Sequence, residues 1–376
     1  MPYSAPVRNV GAPLAAIVTL GTLATALVLV GFLRNPLHGA VGLAFSTTSV
    51  MAVLGCYLWL DRWEPEPPRV LIMAFLWGAS VAVLLSIVLE LLIERQLAGL
   101  EEPLSAFVST AAVAPLVEEA MKGAFLVVMM TGRRRAELNT LTDCLVYAGL
   151  TGAGFAWMEN VAYIAGGETW ADSLATAVVR LVMAPFAHPL FTSMTALGVY
   201  FALQPRRSRA AKVGCVLGGY ILAVLMHGLW NGSATLGSKT YFLVYAVWMM
   251  PVFTLMVLVA ILSRRRERRI IARQLPAMVA AALVTDSEAQ WLSSLSSRKA
   301  AVGVARTAGG RSAATSIRKF TAQVIRLAYV RDLIDTGMTD QRVAQLQRQE
   351  AQRIDAARVA AGPILTQLDN AWRGQC

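Results

Sequence analysis

Eight apolar runs, each long enough to cross a lipid bilayer, constrain what this chain can fold into. A spanning helix needs about 20 predominantly apolar residues. A mean hydropathy of +0.54, with 56% hydrophobic residues, is typical of a polytopic membrane protein rather than a large soluble domain. The sequence therefore predicts an all-α transmembrane bundle of about eight helices. The predicted spans are residues 13–33, 39–60, 70–93, 107–130, 141–165, 174–203, 213–230 and 241–262.

The loop charges predict how the bundle is oriented. Basic residues cluster at 133–135, 206–212 and 264–269, after the fourth, sixth and eighth spans, whereas loops 166–173 and 232–239 are nearly without cations. Because cytoplasmic loops carry an excess of Lys and Arg, both termini are expected in the cytoplasm. We expect a multi-pass protein of a bacterial-type plasma (inner) membrane.

The last third of the chain has a different composition. Residues 264–376 hold 19 Lys and Arg against 9 Asp and Glu, which predicts a basic cytoplasmic tail beyond a membrane domain of residues 1–263. Residues 293–316 are rich in Ser, Gly and Ala and predict a flexible linker, followed by helices at 317–334 and 339–361. The arginines at 264–269 are expected to contact anionic lipids. No nucleic-acid partner is expected, because the basic residues are dispersed and no motif accompanies them.

Three charged residues interrupt the fourth apolar run. Glu118, Glu119 and Lys122 lie within five consecutive positions, and even one charge at mid-membrane costs roughly 2.5–3.5 kcal/mol. The lysine can neutralise either carboxylate across one helical face, so a structural ion pair is one interpretation. The more specific interpretation is that these three residues belong to an active site.

Further polar residues occur on the next three spans, at a similar predicted depth. Counting 1.5 Å per residue places all these groups between the midplane and the outer face, and intramembrane ionisable residues are functional candidates by default. A shared site in the core, residues 107–232, is therefore predicted. Its further members are Glu159, Asn160, Arg180, His188, His227 and Asn231.

These residue types favour hydrolysis. A buried carboxylate beside another carboxylate can act as a general base on water, and a histidine can transfer the proton. Sequence patterns of the common zinc and serine hydrolases are absent. Two histidines and a glutamate leave a metal site as an alternative. A proton-coupled transporter or a non-catalytic scaffold with a basic tail are the competing functions.

At this point four motifs, in order along successive spans, resemble the PrsW family of intramembrane proteases. They are Glu118-Glu119-x-x-Lys122, Phe155-x-x-x-Glu159-Asn160, His188 and His227-x-x-x-Asn231. The family is related to the CAAX-prenyl-endopeptidase and bacteriocin-processing group, which has His at the position of Glu159 and Arg at that of Lys122. The resemblance implies a glutamate-type protease that cleaves membrane-anchored proteins, such as anti-sigma factors, near the outer face.

Chemistry and resemblance together assign expected roles. Glu118 is expected to activate water, with Glu119 supporting it by hydrogen bonding and Lys122 by charge. His188 and His227 are expected to serve as proton donor and oxyanion contact, assisted by Asn231. Glu159 is a further catalytic candidate, with Asn160 and Arg180 in support. We expect a metal-free enzyme without cofactors, with zinc as the alternative.

Overall fold

The structure, a computed structural model, describes residues 12–97, 99–204, 207–337 and 341–373. The chain is 89% helical, with no strand in these described ranges, which confirms the predicted all-α fold. Arg206, one of the basic residues that predict the orientation, lies outside the described residues.

The helices follow one another with short connections. In the described part of the chain, four stretches are π-helical and continue directly from the α-helix before them: Trp77–Ala82, Ser109–Val113, Val178–Met183 and Tyr245–Met249. A 3-10 helix covers Gly132–Glu137. The α-helices are α1 Ala12–Arg34, α2 Pro36–Leu60, α3 Pro68–Leu76, α4 Val83–Leu97, α5 Leu104–Val108, α6 Ala114–Met129, α7 Leu141–Ala165, α8 Trp170–Ala177, α9 Ala187–Leu203, α10 Arg209–Thr235, α11 Ser238–Val244, α12 Met250–Ala280, α13 Asp286–Leu292, α14 Leu295–Asp335 and α15 Gln341–Arg373.

The structure contains fewer candidate membrane-spanning helices, in the described ranges, than the eight that the sequence predicts. By length and composition, four helices in the described ranges could cross a membrane: Pro36–Leu60, Pro68–Leu97, Arg209–Thr235 and Ser238–Ala280. A fifth span results if the bent pair Trp170–Met183 and Ala187–Leu203 is counted as one. The chain is thus a helical membrane protein, and the number of eight spans stays a prediction.

Local sequence explains where several helices begin. Thr140 before α7 accepts a hydrogen bond from the Asp143 backbone, while the Asp143 side chain accepts one from the Thr140 backbone. Thr169 and Asp172 form the same reciprocal capping box before α8. These pairs satisfy backbone donors that a helix start leaves open, and so fix the starts of two helices that position site residues.

Helix α7 forms the core of the membrane part. Its residues from Thr142 to Ala156 are buried, and the helix packs against α2, α3 and α9. A Cβ at Gly78 would overlap the Thr151 carbonyl, and one at Gly154 would overlap the Phe75 carbonyl. Small residues at these crossings let helix backbones approach closely, as in other membrane bundles.

The chain divides into two compact units. The first contains residues 1–60 and Glu66–Ala260, and the second contains Asp61–Pro65 together with Ile261–Cys376. The short loop after α2 therefore belongs with the C-terminal helices, which the sequence did not indicate. The predicted functional division into residues 1–263 and 264–376 stays a prediction.

The second unit has its own hydrophobic core. Trp63 joins this core together with Trp291 and Phe320. Arg298 donates hydrogen bonds to the carbonyls of Leu292, at 2.8 Å, and of Trp63, at 3.1 Å, and its guanidinium lies 4.9 Å from the centre of the Trp63 ring. Burial lowers the pKa of the Arg298 guanidinium to about 10, so it is still charged at neutral pH.

The prediction of a flexible linker at residues 293–316 is wrong. This stretch lies almost entirely in α14, which has a kink where Gly309 and Gly310 adopt non-helical backbone angles. Gly310 has a φ of +68°, which explains the glycine there. Two small residues of α14, Ala301 and Ala305, are buried in the core of the second unit, so tertiary packing makes a helix of a segment with weak periodicity.

Candidate active site

A fully buried lysine lies at the centre of the predicted site. The Lys122 ammonium is 2.7 Å from Glu119 Oε1 and 3.1 Å from Glu118 Oε2, both on its own helix α6. It also lies 3.1 Å from His188 Nδ1 on α9 and 4.0 Å from the centre of the Phe155 ring on α7. Three polar partners match the three protons of an ammonium group. They lie on α6 and α9, and the Phe155 ring adds a contact with α7.

Glu119 is held by hydrogen bonds on both carboxylate oxygens. Its Oε1 is 3.0 Å from His227 Nδ1 on α10, in addition to Lys122, and its Oε2 accepts a hydrogen bond from Thr192 Oγ1 at 3.2 Å. The side chain has no exposed surface. Thr192 was missed by the sequence analysis, although it lies four residues after His188 and so shares its helical face.

Glu118 is far less constrained than its neighbour. Within the described ranges, Lys122 is the only group that donates a hydrogen bond to it. The nearest ring nitrogens, on His188 and His227, are 4.0 Å and 3.9 Å from its Oε2. Its side chain is 8% exposed. Glu118 therefore has lone pairs free to bind a water molecule.

The remaining predicted residues of α7 hold His188 from its other side. Glu159 Oε2 is 2.6 Å from His188 Nε2 and forms an ion pair with Arg180. Arg180 Nε also donates to Asn160 Oδ1 at 2.6 Å. Its guanidinium lies 4.3 Å from the centre of the Tyr163 ring. Arg180 thus keeps Glu159 and Asn160 in fixed positions.

These contacts determine how the two histidine rings are oriented. His188 Nδ1 faces the Lys122 ammonium, which has protons only to give, so the neutral ring carries its proton on Nε2 and donates to Glu159. His227 donates from Nδ1 to Glu119, which leaves its Nε2 as the acceptor. Each histidine is therefore oriented by one carboxylate, and its other nitrogen is an acceptor, which on His188 accepts from Lys122.

A helix break brings Arg180 and His188 into the same site. The π-helix Val178–Met183 is followed by Ala184, which has non-helical backbone angles, and α9 starts at Ala187 after a bend of 40°. The freed carbonyls are satisfied by side chains: Ser49 Oγ donates to Leu181 O at 3.1 Å, and Tyr245 Oη donates to Met183 O at 3.0 Å. Backbone groups released inside a membrane protein need such partners, which makes the break a stable feature.

Asn231 is the one predicted site residue that the structure does not bring to this cluster by a polar contact. Its Nδ2 donates instead to the carbonyl of Thr110, at 3.2 Å, in the π-helix before α6. The i, i+4 spacing places Asn231 on the same face of α10 as His227, but its side chain is bound to the Thr110 carbonyl instead of to a site residue.

Glu90 on α4 is an acidic residue that the sequence analysis overlooked. Its Oε1 is buried and has no hydrogen-bond partner among the residues that the structure describes, and its charge interacts with those of Glu118, Glu159 and Lys122. Four carboxylates thus share this region with two fixed cations, Lys122 and Arg180. The excess of negative charge favours uptake of protons or of a further cation.

Three of these residues have the donor types of a metal site. Glu118, His188 and His227 are buried, and one potential ligand atom from each lies within 4.8 Å of the others. Zinc prefers such histidine and carboxylate ligands, and histidine ligands usually donate their other N–H to a carboxylate, as both do here. The set therefore fits a divalent metal ion, but Lys122 already places a positive charge 3.1 Å from Glu118 and His188.

The fold and the site together define a class: a polytopic helical membrane protein with a buried carboxylate–histidine centre. A protein-family model described as "PrsW family intramembrane metalloprotease" matches residues 66–256, half of the chain. The chain belongs to this family. A search of curated proteins and a search of solved structures each found no match.

Family membership confirms two predictions at once. The resemblance that the motifs indicated is correct, and the protein is a peptidase of the intramembrane type. The matched residues include every predicted site residue, from Glu118 to Asn231. A transporter or a non-catalytic scaffold is therefore set aside.

Proposed function

We propose that this protease cleaves a membrane-anchored protein by attack of a water molecule that Glu118 activates. The observation that carries the proposal is the contrast between two adjacent carboxylates. Glu119 is immobilised by three side chains and has no exposed surface, whereas Glu118 has a single donor and 8% exposure. A general base needs free lone pairs within reach of water, and only Glu118 of the pair offers them.

The two histidines complete the reaction. His188 Nδ1 accepts from Lys122 and lies 4.0 Å from Glu118 Oε2. Once its hydrogen bond to Lys122 opens, this nitrogen can take the proton that Glu118 removes from water and pass it to the leaving amine. His227 is fixed by Glu119 through its Nδ1–H, so it contacts the developing oxyanion with a proton on Nε2, that is, as the imidazolium. Arg180 holds Glu159 ionised against His188, so the ring keeps one orientation through the reaction. Asn231 has its amide bound to Thr110, so we assign it a positioning role instead of the expected oxyanion contact.

Glu118, His188 and His227 would hold a metal ion if the enzyme uses one. Bound zinc would supply Lewis-acid polarisation of the scissile carbonyl and a more acidic water. The expectation of a metal-free enzyme stays a prediction, in which the Lys122 ammonium is the resident cation. With or without a metal ion, Glu118 is a residue that contacts the reacting centre: it activates the water in the metal-free enzyme and would be a ligand in the metal-bound one.

The substrate we propose is a membrane-anchored protein of the anti-sigma-factor type, cut in the outer half of the bilayer. This follows from the family's expected role and from the depth at which the sequence places the site. We further propose that the protein crosses a bacterial-type inner membrane eight times, with both termini in the cytoplasm. Residues 264–269 would then contact anionic lipids of this membrane. Arg264–Arg269 follow an apolar helix segment, which supports the lipid contact.

The test is a comparison of shed ectodomains. Ectodomains released from the membrane are identified by proteomics in cells that express the wild type, Glu118→Gln or Glu168→Gln. Glu168 is an exposed carboxylate between α7 and α8 and serves as the matched control. We expect a set of ectodomains that is present with the wild type and the control and absent with Glu118→Gln. Identical release by all three, at equal membrane abundance, would contradict the proposed function.

A further inference from the structure

One face of α4 turns polar side chains toward the protein. From Leu85 to Leu97, the residues that are not exposed are Ser86, Glu90, Ile93 and Leu97, which recur every three or four positions. This spacing places them on one face of the helix. Helix α4 packs against α6, which carries Glu118. Ser86 and Glu90 are therefore polar residues on the buried face of a helix whose other residues up to Ile93 are aliphatic.

Each of these two side chains has a buried atom without a hydrogen-bond partner among the described residues. The atoms are Ser86 Oγ and Glu90 Oε1, and Ser86 is only 2% exposed. An unsatisfied buried polar group costs about 1–3 kcal/mol, so such groups as a rule bind protein or ordered water. Side chains four residues apart on a helix are about 5–6 Å apart at Cβ, a gap that one bridging water molecule spans.

Glu94, one turn further along α4, brings the polar residues to the surface. It is exposed and accepts a hydrogen bond from Ser109 Oγ. Ser109 begins the π-helix that continues directly into α6, so this bond ties α4 to the helical run that carries Glu118. A short connection joins α4 to that run, and the two are therefore antiparallel. We call Ser86, Glu90 and Glu94 the polar row.

The bond between Glu94 and Ser109 sets the depth of the polar row relative to the candidate active site. Ser86 lies eight residues before Glu94, and Glu118 lies nine residues after Ser109 on the antiparallel run. At 1.5 Å per residue, both are about 12–14 Å from the bond, and so at a similar level. The charge of Glu90, halfway along the row, interacts with that of Glu118. The polar row thus leads from the surface to the proposed base.

The proposed reaction needs such a route, because each bond cleaved consumes one water molecule. The water oxygen bonds to the scissile carbonyl carbon and the C–N bond breaks. One water proton goes to the leaving amine, and the other stays on the new carboxyl group. Glu118 is buried in an apolar bundle, so the next water molecule has to reach it past polar groups.

We propose that Ser86, Glu90 and Glu94 line the path along which water reaches Glu118 from the surface at the end of α4. The inference rests on the proposed function and adds three positioning residues to it. These residues bind the water molecules in transit, whereas Glu118 activates the one that reacts. Glu90 is the residue through which the path must pass, because it lies between the exposed Glu94 and the buried Ser86.

Cysteine labelling in lipid nanodiscs tests the path without relying on turnover. Ser86→Cys, Glu90→Cys and the matched control Val88→Cys are treated with a charged thiosulfonate reagent, and mass spectrometry locates the label. Such reagents react with thiolates, which form where water has access. Val88 is 52% exposed but lies off the polar row, so its side chain faces lipid. We expect Ser86→Cys and Glu90→Cys to react faster than Val88→Cys, although Ser86 is far more buried.

A second change closes the path. Added to Ser86→Cys, Glu90→Leu should lower labelling to the rate of Val88→Cys, whereas Glu90→Gln, which still binds water, should preserve it. Ectodomain shedding should likewise fall with Glu90→Leu and persist with Glu90→Gln, a pattern that loss of the charge alone would not give. Labelling of both row cysteines no faster than Val88→Cys, or labelling of Ser86→Cys that Glu90→Leu leaves unchanged, would overturn the path. If Glu118→Gln sheds like the wild type, the proposed function fails, whatever the labelling shows.

Discussion

Replacing Lys122 by methionine tests the charge arrangement of the site most directly. Methionine keeps similar bulk but removes the ammonium that lies 2.7 Å from Glu119 and 3.1 Å from Glu118. Both carboxylates are buried, and breaking a buried ion pair from one side costs roughly 3–5 kcal/mol because the remaining charge has no partner. At about 2–4 °C per kcal/mol, the unfolding temperature should fall by roughly 6–20 °C.

The same substitution should create a better metal site. It removes the positive charge 3.1 Å from two potential ligand groups, Glu118 and His188, and leaves a larger excess of carboxylates. Zinc at 100 times its dissociation constant would then restore about 2.7 kcal/mol. The assay is thermal unfolding of detergent-purified protein with and without zinc, together with elemental analysis for bound metal.

The double variant Lys122→Met with Glu118→Gln is the control. It neutralises one of the carboxylates and removes one ligand, so it should lose less stability than Lys122→Met alone and gain nothing from zinc. The reasoning is refuted if Lys122→Met unfolds at the wild-type temperature, or if zinc stabilises the wild type and the variant equally.

Four further predictions concern the base, the metal, the tail and the core of the second unit. Glu118→Gln should lower ectodomain shedding by about 10²–10⁴-fold, as expected for a lost general base; wild-type turnover at normal abundance argues against the assignment. Purified wild type should contain no stoichiometric zinc by elemental analysis; activity that a chelator removes and zinc alone restores would reverse this. A chain stopped after Arg269 should still insert and cleave, with altered regulation, because every candidate catalytic residue precedes Gly232. Ectodomain shedding, normalised to the amount of protein in the membrane, measures this. Normal insertion without shedding would place the tail in the catalytic unit. Trp63→Ala should destabilise the second unit by about 3–5 kcal/mol, seen as faster proteolysis of the tail with shedding by the membrane part as the internal control; an unchanged proteolysis rate would contradict the packing of Trp63.

The sequence could predict that most of these polar residues meet, although not Thr192 or Glu90, and it could not predict how they are bonded. Expensive charges inside apolar runs have few stable arrangements other than contact with one another, so the meeting of Glu118, Lys122, His188 and His227 follows from physical cost alone. The difference between Glu118 and Glu119 depends on which face of α6 each occupies after the π-helix Ser109–Val113. A single inserted residue in a helix turn shifts that face, and no sequence pattern marks it.

The C-terminal part was the least predictable. Its alanines, glycines and serines indicate flexibility when only local propensity is considered. Ala301 and Ala305 are buried in the structure because small side chains let α14 pack closely in the second unit. The partners that make a helix stable are distant in sequence, so local patterns could not indicate them.

The position of Trp63 sets an order of events during synthesis. Its carbonyl is a hydrogen-bond acceptor for Arg298, which lies 235 residues later in the chain. The tryptophan therefore leaves the ribosome long before its partners, and at about 5–20 residues per second it waits for at least ten seconds. The C-terminal unit can complete its core only after the helices that carry Glu118, His188 and His227 have been made. A chain whose C-terminal unit has closed around Trp63 is thus a chain whose candidate-site helices have all been translated.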